Sequence, residues 1–498
     1  MGGTRVQASE YDEGEPQTMP NNLTVIVLAA GGGTRMKSKT MKVLHEVGGR
    51  SMVGHVLTAV RALEPHRIIA VVGNQRDQVG PHIQGYAPDV VLAVQEVLDG
   101  TGGAVRVAVQ AAGATGTVLV VTGDTPLLEG ASLKAFAAEH EAAQRAVSIL
   151  SGVLDDPFGY GRIVRDDDGD VEAVVEEKDA TEQQRAIREI SSGILAFDAE
   201  FLVEALPRIG NDNAKGEYYL PDLVGLARDA GLTVGAHPIA DVVQTRGAND
   251  RAQLAELGRE MNRRLLNRWM REGVTIMDPA TTWVDADVRL APDVTLLPGT
   301  QLLGATVVGE DAVIGPDTTL KDCEIGAGAR VVRTHGELAV IGDRATVGPY
   351  SYLRPGTTLG VGGKIGAFVE VKNSSIGDAA KVPHLSYVGD AEIGPGANIG
   401  AGTIFANYDG TTKHRTTIGP GARTGSNNTF VAPVRVGEGA MTGGGTVVRE
   451  DVPPGALAVS AGPQRTLEGH VERRRAAAAA DPGVAPTDPD AGESSSDR

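Results

Sequence analysis

The sequence predicts an α/β protein with two folded parts: a mostly parallel sheet with flanking helices over residues 22–250, and a parallel β-helix over 276–470. Three patterns carry this reading. In the first part, β-branched runs ("LTVIVLAA", "RIIAVVG", "DVVLAVQ", "GTVLVVTGD") alternate with helix-like stretches such as 52–63 and 104–112, the mark of βαβ units. Next, Leu254, Leu257, Met261, Leu265 and Trp269 recur at three or four residues, the helix period. Residues 251–275 therefore read as a connecting helix, or equally as one more surface helix of the first part. Beyond 276 an apolar residue followed by glycine recurs at six: Val308-Gly309, Ile314-Gly315, Ile341-Gly342, Val347-Gly348, Ile376-Gly377, Val388-Gly389, Ile393-Gly394, Ile399-Gly400, Ile418-Gly419, Val436-Gly437. A sustained hexapeptide repeat marks a parallel β-helix. One residue per repeat points inward, three repeats close a triangular coil, and glycine is expected to serve the tight corner.

Composition agrees. The chain has 66 glycines and only 4% aromatic residues, as a narrow prism filled by small side chains requires. With 46 Lys plus Arg against 64 Asp plus Glu, the net charge is −18, which argues against general nucleic-acid binding. The single cysteine, Cys323, allows no intramolecular disulfide and fits a reducing compartment. No apolar run approaches the roughly 18 residues of a membrane span. The polar start, "MGGTRVQASEYDEGEPQTMP", lacks the apolar core of a secretory signal. A cytoplasmic protein with no membrane or nucleic-acid partner is expected, with disorder over 1–21 and 471–498.

The chemistry gathers first at "LAAGGGTRMKSKTMKVL", residues 28–44, directly behind a buried strand. A GxGxxG loop would need glycine at Met36, and a Walker A loop would need glycine before Lys37-Ser38. Neither is present. Glycines still let backbone N–H groups converge on an anion, and Arg35 and Lys42 add full charge. Ligands of such sheets bind beyond the carboxyl ends of strands, where this stretch lies. The plainer alternative is a turn with solvated cations.

This stretch resembles the L-x-G-G-x-G-T-R-M-x(6)-K signature of sugar-nucleotide pyrophosphorylases, and more closely the A-A-G-x-G-T-R-M form of the bifunctional GlmU family. The resemblance spans about residues 23–467. It implies a Rossmann-like nucleotidyltransferase domain, a connecting helix and a left-handed β-helix acetyltransferase domain. It also implies a nucleoside triphosphate, UTP, on Leu28, Ala29, Gly31 and Gly32, with Arg35 and Lys42 as catalytic cations. "VQEVLDGTGGAV" is similar to the family's Q-x(3)-L-G-T-G-H-A, which places Gln95, Gly100 and Thr101 at the uracil. Asp124 of "VVTGD" and Asn249 of "RGAND" would hold Mg²⁺, one or two ions per site. Gly161, Glu176 and Ser191 would contact the sugar. Met41 stands where the family has proline, Gly103 where it has histidine, Ser191 where it has asparagine, and Pro221 where it has threonine.

A second constellation interrupts the hexapeptide repeat with polar residues. Arg354, Lys372, Tyr387, Asn398, Asn407, Tyr408 and Lys413 match in order and spacing the family's substrate residues. His384 would be the general base, since imidazole is the side chain that ordinarily titrates near neutrality. Glu370 would orient a neighbour. Ala401, Ser426, Gly444 and Ala461 would line acetyl-CoA; Ala461 stands where the family tends to carry arginine, which implies either that Arg465 serves instead or that CoA is held more weakly.

The resemblance thus implies acetylation of glucosamine 1-phosphate by acetyl-CoA, then uridylylation of N-acetylglucosamine 1-phosphate by UTP, in a homotrimer. Two other readings stay open: a different hexose-1-phosphate nucleotidyltransferase with a regulatory β-helix, and a non-catalytic nucleotide-sensing scaffold.

Overall fold

The structure is a computed structural model that describes residues 22–73, 76–460, 462, 464 and 466–480. The expected disordered leader, 1–21, lies outside the described residues, as do Ala461 and Arg465. By internal contacts the chain divides into two compact units, one ending at Thr357 and one starting at Thr358.

The first unit opens with a nine-stranded sheet. Its strands are β1 (Leu23–Leu28), β2 (Arg67–Val72), β3 (Val91–Val94), β4 (Thr117–Thr122), β5 (Val147–Val153), β6 (Gly161–Arg165), β7 (Val171–Val175), β8 (Glu189–Asp198) and β9 (Val234–Pro238). The order is β9-β5-β8-β4-β1-β2-β3, with the β6–β7 hairpin attached to β8. β1 pairs in parallel with β2 and β4. The near-continuous apolar sequence of β1 is explained by helices on both faces. Val25 and Val27 join one buried cluster and Ile26 the opposite one. The sheet is mixed: β8 runs antiparallel to β4 and β5. The physical reason is the β6–β7 hairpin, which turns the chain back before it re-enters the sheet.

The helix Arg251–Arg271 begins at Asp250, whose carboxylate caps Gln253 N–H. Its apolar stripe, Leu257, Met261 and Leu265, is buried with Met36, Val47, Met52 and Leu127 of the sheet region. Asn262, on the same helix, donates to Thr282 O at 2.8 Å and accepts from Val284 N at 3.1 Å. The helix thus covers the sheet region and hydrogen-bonds the first coil.

In the coils the inward positions of the repeat are buried, from Val308, Ile314, Ile341 and Val347 in the first unit to Ile376, Val388, Ile393 and Ile418 in the second. Strands one coil apart pair in parallel, for example Thr295–Leu296 with Val313–Ile314 and Ser375–Ile376 with Ala391–Ile393. One expectation is corrected. The glycine after the inward residue generally does not supply the left-handed corner; it admits the backbone of the next coil. A Cβ at Gly377 would stand 2.7 Å from Pro395 N, and one at Gly394 would stand 2.6 Å from Pro420 N. The left-handed residue comes two positions later, as at Gly396 (φ 68°) and Gly421 (φ 64°). A second correction concerns the tail. The helix His470–Ala480 runs into the span expected to be disordered, 471–498. Its alanine run has the highest helix propensity, and Glu472 sits in the favourable first turn. The rest of the tail lies outside the described residues.

Two buried histidines couple stability to pH. His55 is 7% exposed and bonded to Val47 O; His140 is 3% exposed and bonded to Ser148 Oγ. Burial, helped by Arg50 and Arg145 respectively, pulls each imidazole down to about 4. Above the ordinary value near 6.5 both are neutral, folded or unfolded, and cost nothing. As pH falls from 6.5 towards 4 the unfolded chain takes protons that the folded chain refuses, so stability is lost across that window. Each histidine should account for about 3 kcal/mol. Thermal melts between pH 7 and 4 should show the decline, and His140→Gln should make it shallower.

Candidate active sites

The first site is a cleft at the carboxyl ends of β1 and β4. One lobe, of about 370 Å³, is lined by Leu28, Gly31, Gly32, Lys42, Gln95, Gly100, Thr101 and Asp124, among others. A second, of about 190 Å³, is lined by Gly161, Glu176, Ser191 and Pro221 and shares Leu28, Thr101 and Thr122 with the first. Together they form one groove of ordinary ligand size.

The glycine loop builds its wall. Gly31 and Gly32 face open space, while Gly33 has φ 60°, and a Cβ there would stand 2.5 Å from Lys42 Cβ. The loop thus packs on the Lys42 stem. Ala29 is buried and hydrogen-bonds Val71 O, which fixes the end of β1. Met41 has φ −60°, the value a proline would impose, so the substitution keeps the backbone path. Pro221 lies in the first turn of a 3₁₀ helix, where the missing N–H costs nothing.

Lys42 is the centre of the charges. Its Nζ lies 2.5 Å from Asp124 Oδ2 and 2.8 Å from Asn249 Oδ1. Lys42 and Asn249 are 207 residues apart in sequence, so the sheet has gathered them. Two oxygens converging on one cation are the donor set a hard divalent ion takes when water and phosphate complete its shell. The ammonium stands where such an ion's charge would be, so the residues fit a metal. Among the described residues no group of three or more His, Cys, Asp or Glu could hold one. Arg35 is not among the residues that line the cleft. It is exposed on the 3₁₀ turn Thr34–Met36, which the buried Met36 anchors.

Gln95 is buried and donates to Asp99 Oδ1 and Gly100 O. Thr101 Oγ1 accepts from Leu220 N at 3.0 Å, which joins the helix Thr101–Ala112 to the segment that closes the groove. Burial pushes the Glu176 carboxyl above the ordinary carboxylate range, partly offset by Lys215.

One buried group went unread in the sequence. Arg162 is 2% exposed, donates to Tyr160 O, and reaches Glu177 Oε2 at 2.7 Å. Glu177 Oε2 in turn accepts from Gly159 N. This clamp fixes residues 159–161, which line the second lobe. Removing one member of a buried pair leaves the other uncompensated, so Arg162→Ala should cost about 3 kcal/mol. A fall in melting temperature with a raised KM for the sugar phosphate would bear this out.

The second site lies in the second unit, on successive coils. Gly402 N donates to His384 O, Asn427 N to Ala401 O, and Gly445 N to Ser426 O. These bonds stack His384, Ala401, Ser426 and Gly444 along one edge of the prism. His384 is exposed at the end of the strand Lys381–His384. On a neighbouring strand pair, Glu370 is in register with Tyr387 and Lys372 with Gly389. Tyr387 OH and Asn407 Nδ2 both approach Gly389, within 2.4 and 2.7 Å of where its Cβ would be. Tyr408 is bridged to Lys413, and His414 N donates to Asn407 O, so residues 407–414 form a closed loop projecting from the coil. Asn398 is exposed, with its backbone in the ladder to Ala422. Arg354 belongs to the first unit, where its carbonyl accepts from Thr357.

Asp390 was not singled out from the sequence, which carries no pattern around it. It is 8% exposed and accepts from Asn373 and Asn407. Burial pushes its carboxyl up. The hydrogen bonds from Asn373 and Asn407 and the charges of Lys372 and Lys413 outweigh burial and hold it below the usual range. It is the anion around which Asn407 and two of the expected phosphate-binding lysines are arranged.

Comparison with known proteins places the chain in a lineage. Residues 25–189 match the MobA-like NTP transferase domain family. The protein from Pseudarthrobacter chlorophenolicus called bifunctional protein GlmU is 58% identical over 455 residues, covering 91% of this chain and 92% of that one. Proteins of the same name from Streptomyces coelicolor and Thermobifida fusca are 56% and 58% identical over 459 and 456 residues. They cover 92% and 91% of this chain, and it covers 95% and 94% of theirs.

Proposed function

We infer the function from one premise: the chain belongs to the bifunctional GlmU family. It is a bifunctional nucleotidyltransferase and N-acetyltransferase that makes UDP-N-acetylglucosamine. The observation that carries the reading is the presence of two separately built polar sites, the Lys42–Asp124–Asn249 cleft and the His384 edge, in a chain related to bifunctional proteins along 91% of its length.

In the uridylyltransferase reaction the phosphate oxygen of N-acetylglucosamine 1-phosphate attacks the α-phosphorus of UTP. A P–O bond forms, the α–β bridge breaks, and pyrophosphate leaves. Both reactants are anions, so the chain's task is to reduce repulsion and hold an in-line geometry. Lys42 supplies a fixed positive charge beside the glycine loop. Arg35 is assigned to the phosphates from the outer side of that loop. Gln95, Gly100 and Thr101 hold the base, and Gly161, Glu176 and Ser191 hold the sugar. Asp124 and Asn249 would carry Mg²⁺, which when bound supplies further charge neutralisation at the phosphates.

In the acetyltransferase reaction the amine of glucosamine 1-phosphate attacks the thioester carbonyl of acetyl-CoA. The C–N bond forms, the C–S bond breaks, and CoA leaves as the thiol. His384 takes the proton from the attacking amine. Lys372 and Lys413 bind the sugar phosphate, and Tyr387, Asn398, Asn407 and Tyr408 fix the sugar. Ala401, Ser426 and Gly444 line the acetyl-CoA. The two activities map onto residues 22–250 and 276–470.

A homotrimer in the cytoplasm completes the proposal. It is supported by large apolar side chains on the coils of the second unit, Phe368 at 59% and Leu385 at 62% exposure, that a flat-faced prism would cover with its copies. Among the described residues no helix is long and apolar enough to cross a membrane.

The test supplies glucosamine 1-phosphate, acetyl-CoA, UTP and Mg²⁺ to the purified chain and reads products by mass. UDP-N-acetylglucosamine is expected. N-acetylglucosamine 1-phosphate alone would refute the uridylyltransferase half, and unreacted amine the acetyltransferase half.

A further inference from the structure

The nucleotide cleft carries a carboxylate that the reaction above does not use. Asp99 is half-buried, just before the helix Thr101–Ala112. Its Oδ1 accepts from Gln95 Nε2 at 2.9 Å, and Gly100 O accepts from the same nitrogen at 3.1 Å. A primary amide nitrogen has two N–H donors, so both are spent on the protein. The flipped amide would set its oxygen against two acceptors, which leaves one permitted orientation. Gln95 is 4% exposed and lines the cleft, so its amide offers a ligand only Oε1, an acceptor.

The carboxylate is itself seated. A Cβ at Gly103 would stand 1.8 Å from Asp99 Oδ1 and 2.5 Å from its Cγ. Gly103 lies in the first helical turn, where glycine lowers helix stability. The bare Cα there makes room for the carboxylate, and the positive end of the helix favours it. Asp99 O also accepts from Tyr218 N at 2.7 Å, which pins its main chain. Against Q-x(3)-L-G-T-G-H-A this chain differs at two positions, Asp99 for leucine and Gly103 for histidine. The two departures touch each other, so each has a structural reason in the other.

We propose that Asp99 is a positioning and specificity-determining residue for the base. It holds Gln95 as a pure acceptor, so the cleft selects a pyrimidine with a ring N–H, uracil or thymine, over cytosine, whose N3 is an acceptor. The proposal rests on the nucleotidyl-transfer reading of this cleft.

The test measures kcat and KM for UTP and for CTP with the full chain and saturating N-acetylglucosamine 1-phosphate. The unaltered protein should favour UTP by about a hundredfold or more in kcat/KM. Asp99→Leu should reduce that preference about tenfold, chiefly by raising KM for UTP. Asp99→Asn keeps an acceptor oxygen and should keep the preference within about threefold. Gly103→Ala should displace the carboxylate yet favour the helix, so it should reduce the preference without lowering the melting temperature. A preference unchanged in both Asp99→Leu and Gly103→Ala overturns the proposal, as does Asp99→Asn falling as far as Asp99→Leu. Failure of the unaltered protein to use either nucleotide would instead overturn the nucleotidyl-transfer reading.

Discussion

Replacing Asp124 by alanine is expected to lower uridylyl transfer by about a thousandfold and to leave acetyl transfer unchanged. Asp124 does two things at once. Its Oδ2 sits 2.5 Å from Lys42 Nζ, which keeps the ammonium at the mouth of the glycine loop, and with Asn249 it forms a convergent oxygen pair on that charge. Without the carboxylate, Lys42 keeps Asn249 as a partner but loses the charge that fixes its position, and a divalent ion loses its anionic ligand. Both losses fall where two anionic reactants must meet, so they weigh on the transition state more than on either ground state. Asp124→Asn separates the two effects. The amide oxygen still accepts from Lys42 but ligates a metal weakly, so activity should fall less and recover in part as Mg²⁺ is raised. Asp124→Ala should show no such recovery. The melting temperature should fall as well, because Lys42, 14% exposed, loses its carboxylate partner and keeps only the Asn249 hydrogen bond among its described contacts, so the loss of activity is read on protein shown to be folded.

The legible parts of the molecule were those whose pattern is local. β1 reads as a buried strand because both faces of the sheet are covered. The β-helix reads at once because the inward position returns every six residues, and Val308, Ile314, Ile376 and Ile393 are all buried. What the sequence hid depends on neighbours a coil or a domain away. The glycine after each inward residue looks like a corner residue, yet its reason is the backbone one coil on, as at Gly377 beneath Pro395. The reversal of β8 follows from the β6–β7 hairpin, which turns the chain back before it re-enters the sheet. Resemblance named Lys42, Asp124 and Asn249, and the fold brings the three into contact. It did not point to Asp390, Arg162 or Asp99. Each of these acts through another side chain (Asn407, Glu177 and Gln95), and no motif encodes a contact of that kind. Arg35 shows the converse: a residue prominent in the motif lies outside the cleft lining, because Met36 beside it is the buried member of the turn.

Replacing His384 by alanine should do the reverse of the Asp124 change, lowering acetyl transfer by about 10²- to 10⁴-fold while uridylyl transfer from added N-acetylglucosamine 1-phosphate continues. His384 is exposed, and its backbone is tied into the coil through Ser386, Gly402 and the ladder partner Ala367. Truncation of the side chain therefore leaves the ladder intact, and the melting temperature should not move. That separation matters, because a structural histidine would give the opposite pair of results: a lower melting temperature and a modest, general loss. A proton acceptor also leaves a kinetic signature. The limb of the acetyl-transfer pH profile that reports the base should disappear in His384→Ala, and the residual rate should rise with hydroxide. Asp390→Ala offers the contrast on the same coils. It frees Asn407 and Asn373 and removes the anion facing Lys372 and Lys413, so it should raise KM for glucosamine 1-phosphate and keep the shape of the pH profile. If both variants changed the pH profile alike, the proton would be handled by the polar network as a whole, and the assignment of a single base to His384 would fall.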